Sequence, residues 1–227
     1  MDNQLNIRII FILIIILVSI KTGTSDPYTE YDFVFAMVKY GGGGDWYNGL
    51  TGVRNLLRKI EERTSLKVYP REKIVTLTDD DLFLYPFIYI NGHGNIRFTE
   101  EEVIRLRRYL YNGGFLFCND DYGLDVYLRR EIKKVFPDKE FVEVPFSHPI
   151  YHTYYNFPQG IPKIHEHYPG PPKGYGIFLN NRLVVFYAYN SDIGDGWEKE
   201  EVHHDPPEKR EAAIKMGINI IYYALMY

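Results

Sequence analysis

The residues of this 227-residue chain best suited to acid–base or ligand chemistry stand where apolar runs stop. One run ends in Gly41–Gly44 followed by Asp45 and Trp46, another in Gly92, His93 and Gly94, and another in Asn119, Asp120 and Asp121. Glycine tolerates positive φ and close approach by other atoms, so Gly42, Gly43, Gly92 and Gly94 are candidate ligand-facing backbone, with Asp45, Trp46 and Asn119 beside them. His93 can exchange a proton near neutral pH. Asp120 and Asp121 repel one another unless a cation, a proton or the amides of a following helix compensate. Helix capping and binding of a metal or substrate are both open for that pair. Further along, "FSHPIYHTYYNF" carries His148 and His152. His93, Asp121 and His148 would together offer nitrogen and oxygen donors suited to zinc, manganese or iron, which makes a divalent metal a candidate cofactor. Pro149 prevents a regular helix through the two histidines, so their spacing is not the helical two-histidine signature. "HEH" at 165–167 and "HHD" at 203–205 read as exposed loop residues.

Other chemistries lack their signatures. "GGGGDWYNG" has no glycine-lysine-serine or threonine ending and is no clean GxGxxG, so a flexible turn competes with an anion cradle. No serine stands in a GxSxG elbow. Trp46, Tyr151, Tyr154 and Tyr155 are able to stack on a sugar or another flat ligand, although tyrosines in such number (21) commonly serve packing.

The elements that position these groups follow from periodicity. "DFVFAMVKY" (32–40), "FIYIN" (87–91) and "GFLFCND" (114–120) are continuously apolar and read as strands buried on both faces. A short strand is predicted near 67–69 and a fifth at 140–144, "EFVEV". Helices are predicted over 48–64, where Leu50, Val53, Leu56, Leu57 and Ile60 form one stripe, and from Thr99, with Glu102 completing a capping box, to about Asn112. Another follows Tyr122 and ends by Pro137, and a last one spans about 207–225. "YGIFLNNRLVVFYA" reads as a hairpin turning at Asn180 and Asn181. Alternating strands and helices predict an α/β fold, a mostly parallel three-layer sheet with helices on both faces, followed by the hairpin and C-terminal helix. Ligands of such sheets bind at the carboxyl ends of the strands, which would gather the loops named above. Pro145–Pro172, with six prolines beyond Pro145, is a long irregular excursion of the kind that carries function when ordered.

The "IIFILIIILVSI" run at 9–20 is almost wholly aliphatic and follows Arg8. As a helix it would span roughly 18 Å, short of a hydrocarbon layer of about 30 Å. Residues 1–25 are therefore expected to be a secretory signal peptide, with an uncleaved N-terminal anchor as the alternative, and 26–227 a single exported domain, periplasmic or extracellular. Without residues 1–25 the chain has 24 basic and 29 acidic side chains, a net charge of −5. That balance, with no local basic surface, argues against nucleic acid as a partner. "RLRRYL" (105–110) reads as a solvated helix face. Cys118 is the only cysteine, so neither an internal disulfide nor a thiolate zinc cage can form.

The motifs "KYGGGGDWYNG", "YPFIYINGHG", "YLYNGGFLFCNDDYG", "FSHPIYHTYYNF" and "GINIIYYAL", spread from Tyr31 to Tyr227, resemble a bacterial family of uncharacterised domains. That family is similar to a branch of the class I glutamine amidotransferase-like, flavodoxin-related superfamily. The resemblance implies a cysteine on the sharp turn after the fourth strand, backed by histidine and glutamate. Here Cys118 falls inside the strand and reads as a buried core thiol, while Asp120 or Asp121 occupies the turn, so glutaminase activity is not expected. The position of the "GHG" turn beside that strand makes His93 a candidate site residue. Two functions follow: a noncatalytic module that binds a small molecule or an envelope protein, with membrane contact only through the N-terminal segment, or a metal-assisted hydrolase using Asp120 or Asp121 with His93 and His148.

Overall fold

The computed structural model describes residues 28–165 and 167–227; the apolar segment at 9–20 lies outside them. The strands are β1 (Phe33–Val38), β2 (Val68–Val75), β3 (Phe87–Ile90), β4 (Phe115–Asn119), β5 (Val142–Glu143), β6 (Lys173–Leu179) and β7 (Arg182–Tyr189). The helices are α1 (Leu50–Arg63), α2 (Glu100–Tyr111), α3 (Asp125–Val135), α4 (Glu200–His203) and α5 (Pro207–Met226). One seven-stranded sheet runs β2-β1-β3-β4-β7-β6-β5. Neighbours from β2 to β7 are parallel, whereas β6 and β5 add antiparallel pairings.

The strands are apolar on both sides because both sides are covered. Phe33, Phe35, Phe87, Tyr89, Phe115, Phe117 and Phe186 point to one face, where α1 and α5 close over them. Val34, Ala36, Ile88, Ile90, Leu116, Cys118 and Val185 point to the other, under α2 and α3. Parallel register places rings side by side: Phe87 on Phe115 (centroids 6.3 Å), Tyr89 on Phe117 (5.4 Å) and Phe117 on Phe186 (6.1 Å). Such pairs add to the burial term and tie adjacent strands into one aromatic layer.

Local signals operate as their chemistry requires. The Thr99 N–H donates to Glu102 Oε2 (2.7 Å) and the Glu102 N–H to Thr99 Oγ1 (3.2 Å), closing the capping box of α2. Asn180 and Asn181 turn the β6–β7 hairpin with φ of 49° and 65°, the left-handed pair that a tight two-residue turn needs.

Two strand expectations are corrected. β2 extends to Val75 instead of stopping near Tyr69 because it is an edge strand: polar Arg71, Glu72 and Lys73 are tolerated, as is Pro70, and the register with β1 shifts there. The segment 140–144 contributes only the exposed Val142–Glu143, antiparallel to β6 at the far edge. The fifth parallel strand is β7, whose core residues are better buried. The 145–172 excursion is mostly irregular and packs against α5. There Asn219, buried in the apolar C-terminal half of α5, accepts from the Tyr154 and Tyr155 N–H groups and donates to the Tyr155 carbonyl.

Candidate functional site

Strand order decides where loops meet. The chain leaves β1 toward one edge and β3 toward the other, so the loops after these two strands flank the switch point of the sheet, where the crevice of such folds lies. Loop 41–46 and loop 92–97 lie against each other at its mouth. The Arg97 N–H donates to the Gly41 carbonyl (2.8 Å) and the Gly44 N–H to the Asn95 carbonyl (3.0 Å). This contact explains the glycines. A Cβ on Gly44 would stand 2.7 Å from the His93 carbonyl oxygen, and one on Gly92 (φ 119°) 2.7 Å from that of Asp45. Gly42 (φ 107°) is equally hemmed in, whereas Gly43 (φ 94°) and Gly94 (φ 82°) have open space or ordinary contacts around them. The amides of Gly44 and Asp45 are already spent on Asn95 and His93 carbonyls, which removes them from any anion cradle.

Asp45 and His93 form the exposed part of the site. The Asp45 carboxylate accepts from the His93 backbone N–H and lies 3.1 Å from His93 Nδ1, while Asp121 Oδ2 is 3.9 Å from the same nitrogen. Among the described residues none hydrogen-bonds Nε2, and half of the His93 side chain is open to solvent. Burial alone would lower its pKa, but Asp121 and Asp45 outweigh that and raise it. Trp46 packs edge-on to Tyr47, with Lys39 Nζ 5.7 Å from the centre of its ring.

Behind this pair runs a buried polar chain. Asn119, at the end of β4, directs its amide nitrogen at Asn91 Oδ1 (3.1 Å), Asp121 Oδ1 (2.7 Å) and Asp192 Oδ1 (3.0 Å). Two amide protons cannot fully serve three acceptors, so protonation of one carboxyl relieves the site. Asp192 is that group: burial, then the charges of Asp121 and Asp195, push it well above the carboxylate range. Burial lowers His167, against the raising charges of Asp120 and Asp121, and its Nε2 lies 3.0 Å from Asp192 Oδ2. Burial also raises Asp121, against the lowering effect of the Asn48 amide, which donates to its Oδ2 at 3.0 Å. Beyond Asp192, Asp195 stays low because His165 and His203 outweigh its burial, and His165 is raised to about 9 chiefly by its bond to Asp195.

The sequence-predicted residues divide accordingly. Asp45, His93, Asn119 and Asp121 meet at the crevice. Asp120 turns away from it, with a fully buried carboxylate that accepts from the Asn190 N–H (2.6 Å) and the Tyr187 hydroxyl (2.9 Å). His148 is a correction. It lies between Phe178 and Tyr223 (centroids 5.7 and 5.3 Å) beside the start of β7, at the opposite edge of the parallel sheet. The His93, Asp121 and His148 ligand set is therefore not formed. His152 is likewise a loop fastener, bonded to Asn156 and the Phe146 carbonyl. Tyr151 is buried in the core and presents no free stacking face, while the partly exposed Tyr154 packs on Tyr155 and on Tyr222 of α5.

The loop after β7, with Asp192 and Asp195, is the part sequence reasoning missed. The histidines read as exposed loop residues are in fact drawn to it: His165 joins Asp195 and Asp205, His167 joins Asp192, and His203 approaches Asp195. Asp205 itself is buried. The only local signal was the density of histidine and aspartate in "HEH", "NSDIGDGW" and "HHD", which says nothing of which groups pair.

Sheet, helices and crevice together define a doubly wound α/β protein with a polar site at the carboxyl edge of its parallel strands. The model of the family described as "Domain of unknown function (DUF4159)" matches residues 34–225, and the chain belongs to that family. No curated protein matches it. Among the described residues no helix is long and apolar enough to cross a membrane.

Proposed function

We propose that the chain is an exported, noncatalytic ligand-binding module on an amidotransferase-like fold that keeps the crevice and has lost the nucleophile. Export rests on the apolar run at 9–20. The fold assignment is supported by the parallel strands, which, counted in chain order, run 2-1-3-4-5 as in flavodoxin-like sheets, and by the sharp turn after β4.

The observation that carries the reading is the state of the elbow. Cys118 is fully buried within β4, its thiol pushed up by burial, and Asp120 is committed to Asn190 and Tyr187. Among the described residues neither of these two elbow groups faces the crevice, and Asp121, which does, is held by the Asn48 and Asn119 amides. What also faces it is a donor and acceptor pair, His93 Nε2 and the Asp45 carboxylate, beside the half-buried Trp46. Such a pair next to an aromatic ring suits a polyhydroxylated ligand, whose hydroxyls both give and accept hydrogen bonds over an apolar ring face.

One observation favours hydrolysis as a second reading. Asp45 holds Nδ1 and leaves Nε2 free, the orientation of a general base that activates water. Ligand-observed NMR against a panel of mono- and oligosaccharides, paired with nitrophenyl glycosides, esters and phosphates, separates the two. Binding that disappears in His93→Ala and Asp45→Asn, without turnover, is expected. His93-dependent turnover overturns the noncatalytic reading, and a panel that binds equally to wild type and both variants overturns the crevice.

A further inference from the structure

We propose that His165, Asp195 and His203 form a binding site for a divalent transition metal, zinc or its close analogue cobalt, with Asp205 orienting His165 from behind. This goes beyond the crevice reading and does not depend on it. Three separate loops bring the groups together. The His165 N–H and the Ile164 N–H donate to the Ser191 carbonyl (3.3 and 2.8 Å), fixing the 164–165 segment against the loop after β7 that carries Asp195. His203 comes from α4 and Asp205 from the turn that follows it.

The geometry fits a small cation. His165 Nδ1 lies 3.1 Å from Asp195 Oδ2, His203 Nε2 lies 3.5 Å from Asp195 Oδ1, and one donor atom from each residue falls within 4.8 Å of the others. A tetrahedral ion with bonds of about 2.0 Å separates its ligand atoms by about 3.3 Å, close to the distance of each histidine from its nearer Asp195 oxygen, and small side-chain rotations would close the set on an ion. Two imidazoles and one carboxylate are borderline donors of the kind zinc takes, and three protein ligands leave a further position for water or a ligand oxygen.

Independent of the cluster is the arrangement behind it. Asp205 Oδ1 is 2.7 Å from His165 Nε2, which donates its proton there and leaves Nδ1, on the Asp195 side, as the nitrogen able to exchange its proton for a metal. Without metal a proton on Nδ1 bridges the 3.1 Å to Asp195, and a bound cation would take that proton's place. A carboxylate holding the far nitrogen of a metal-bound histidine is the usual outer support of such sites. Asp205 is 6% exposed, and its Oδ2 has no hydrogen-bond partner among the described residues, so a buried acceptor with spare capacity stands behind the ring that would carry the metal.

The test is cobalt titration of the chelator-stripped protein, read by visible absorption and followed by displacement with zinc. One equivalent per chain is expected. His203 is exposed, so His203→Ala should fold, as circular dichroism will verify, and should lose at least 100-fold in affinity, as should Asp195→Asn. Asp205→Asn should lose about 10- to 100-fold. His148→Ala, at the opposite edge, should bind as wild type. No stoichiometric cobalt binding, or binding unchanged in folded His203→Ala and Asp195→Asn, overturns the site. Either result leaves the His93-dependent ligand test standing.

Discussion

Replacing Asp120 by Asn should stabilise the protein at neutral pH, although Asp120 sits on the turn after β4, at the carboxyl end of the parallel strands. Burial pushes the carboxyl from 3.8 up to about 6, with Asn190, Tyr187 and His167 opposing and Asp125 adding to the rise. A group whose folded pKa is raised holds its proton more tightly folded than unfolded. Stability therefore falls as pH climbs from about 3.8 to about 6 and stays on the lower plateau above that. The gap, at about 1.4 kcal/mol per pH unit, amounts to about 3 kcal/mol. Asparagine reproduces the protonated form: its oxygen can accept from the Asn190 N–H, while its amide donates to the Tyr187 hydroxyl, whose proton turns to Asp125 Oδ1, 3.2 Å away. Urea denaturation of wild type and Asp120→Asn from pH 3.5 to 8 measures the difference directly. The two curves should coincide near pH 3.5 and part to about 3 kcal/mol by pH 7.5, the variant being the more stable. A variant less stable at pH 7.5, or a difference independent of pH, would mean that the ionised carboxylate is held by something more than these partners, and the argument would fail. Equal ligand or metal binding by the variant would further separate Asp120 from the crevice.

Two more outcomes follow from the packing. Gly92→Ala combines a φ of 119° with a Cβ 2.6 Å from the Tyr40 hydroxyl, and should cost about 2 kcal/mol or more in thermal denaturation, whereas Gly43→Ala, with nothing within 4 Å, should cost only its backbone strain of about 1 kcal/mol. Equal losses would refute the packing role of Gly92. Cys118, fully buried with its thiol raised by desolvation, should resist maleimide in the native state and react once the chain is unfolded; rapid native labelling would expose an error in the placement of β4.

Much of the architecture is written locally. Runs such as "FVFAMV" and "FIYI" are apolar at every position, and only a strand covered on both faces has a use for that. Thr99 with Glu102 starts α2, and the two asparagines turn the final hairpin, because a cap and a left-handed turn each involve a few adjacent residues. The burial of Cys118 was legible too, since it stands inside the apolar run of β4. What the sequence could not supply was strand order. Whether β7 or the segment at 140–144 completed the parallel sheet depended on the global competition for buried edges, and that choice carried Asp192 and Asp195 to the rim. It also sent His148 to the opposite edge and drew His165 to Asp205 across 40 positions. Periodicity reports which side of an element is buried, a property of neighbours a few residues apart. Pairing of side chains across the fold is set by the layering of whole elements, and only the tertiary structure decides it.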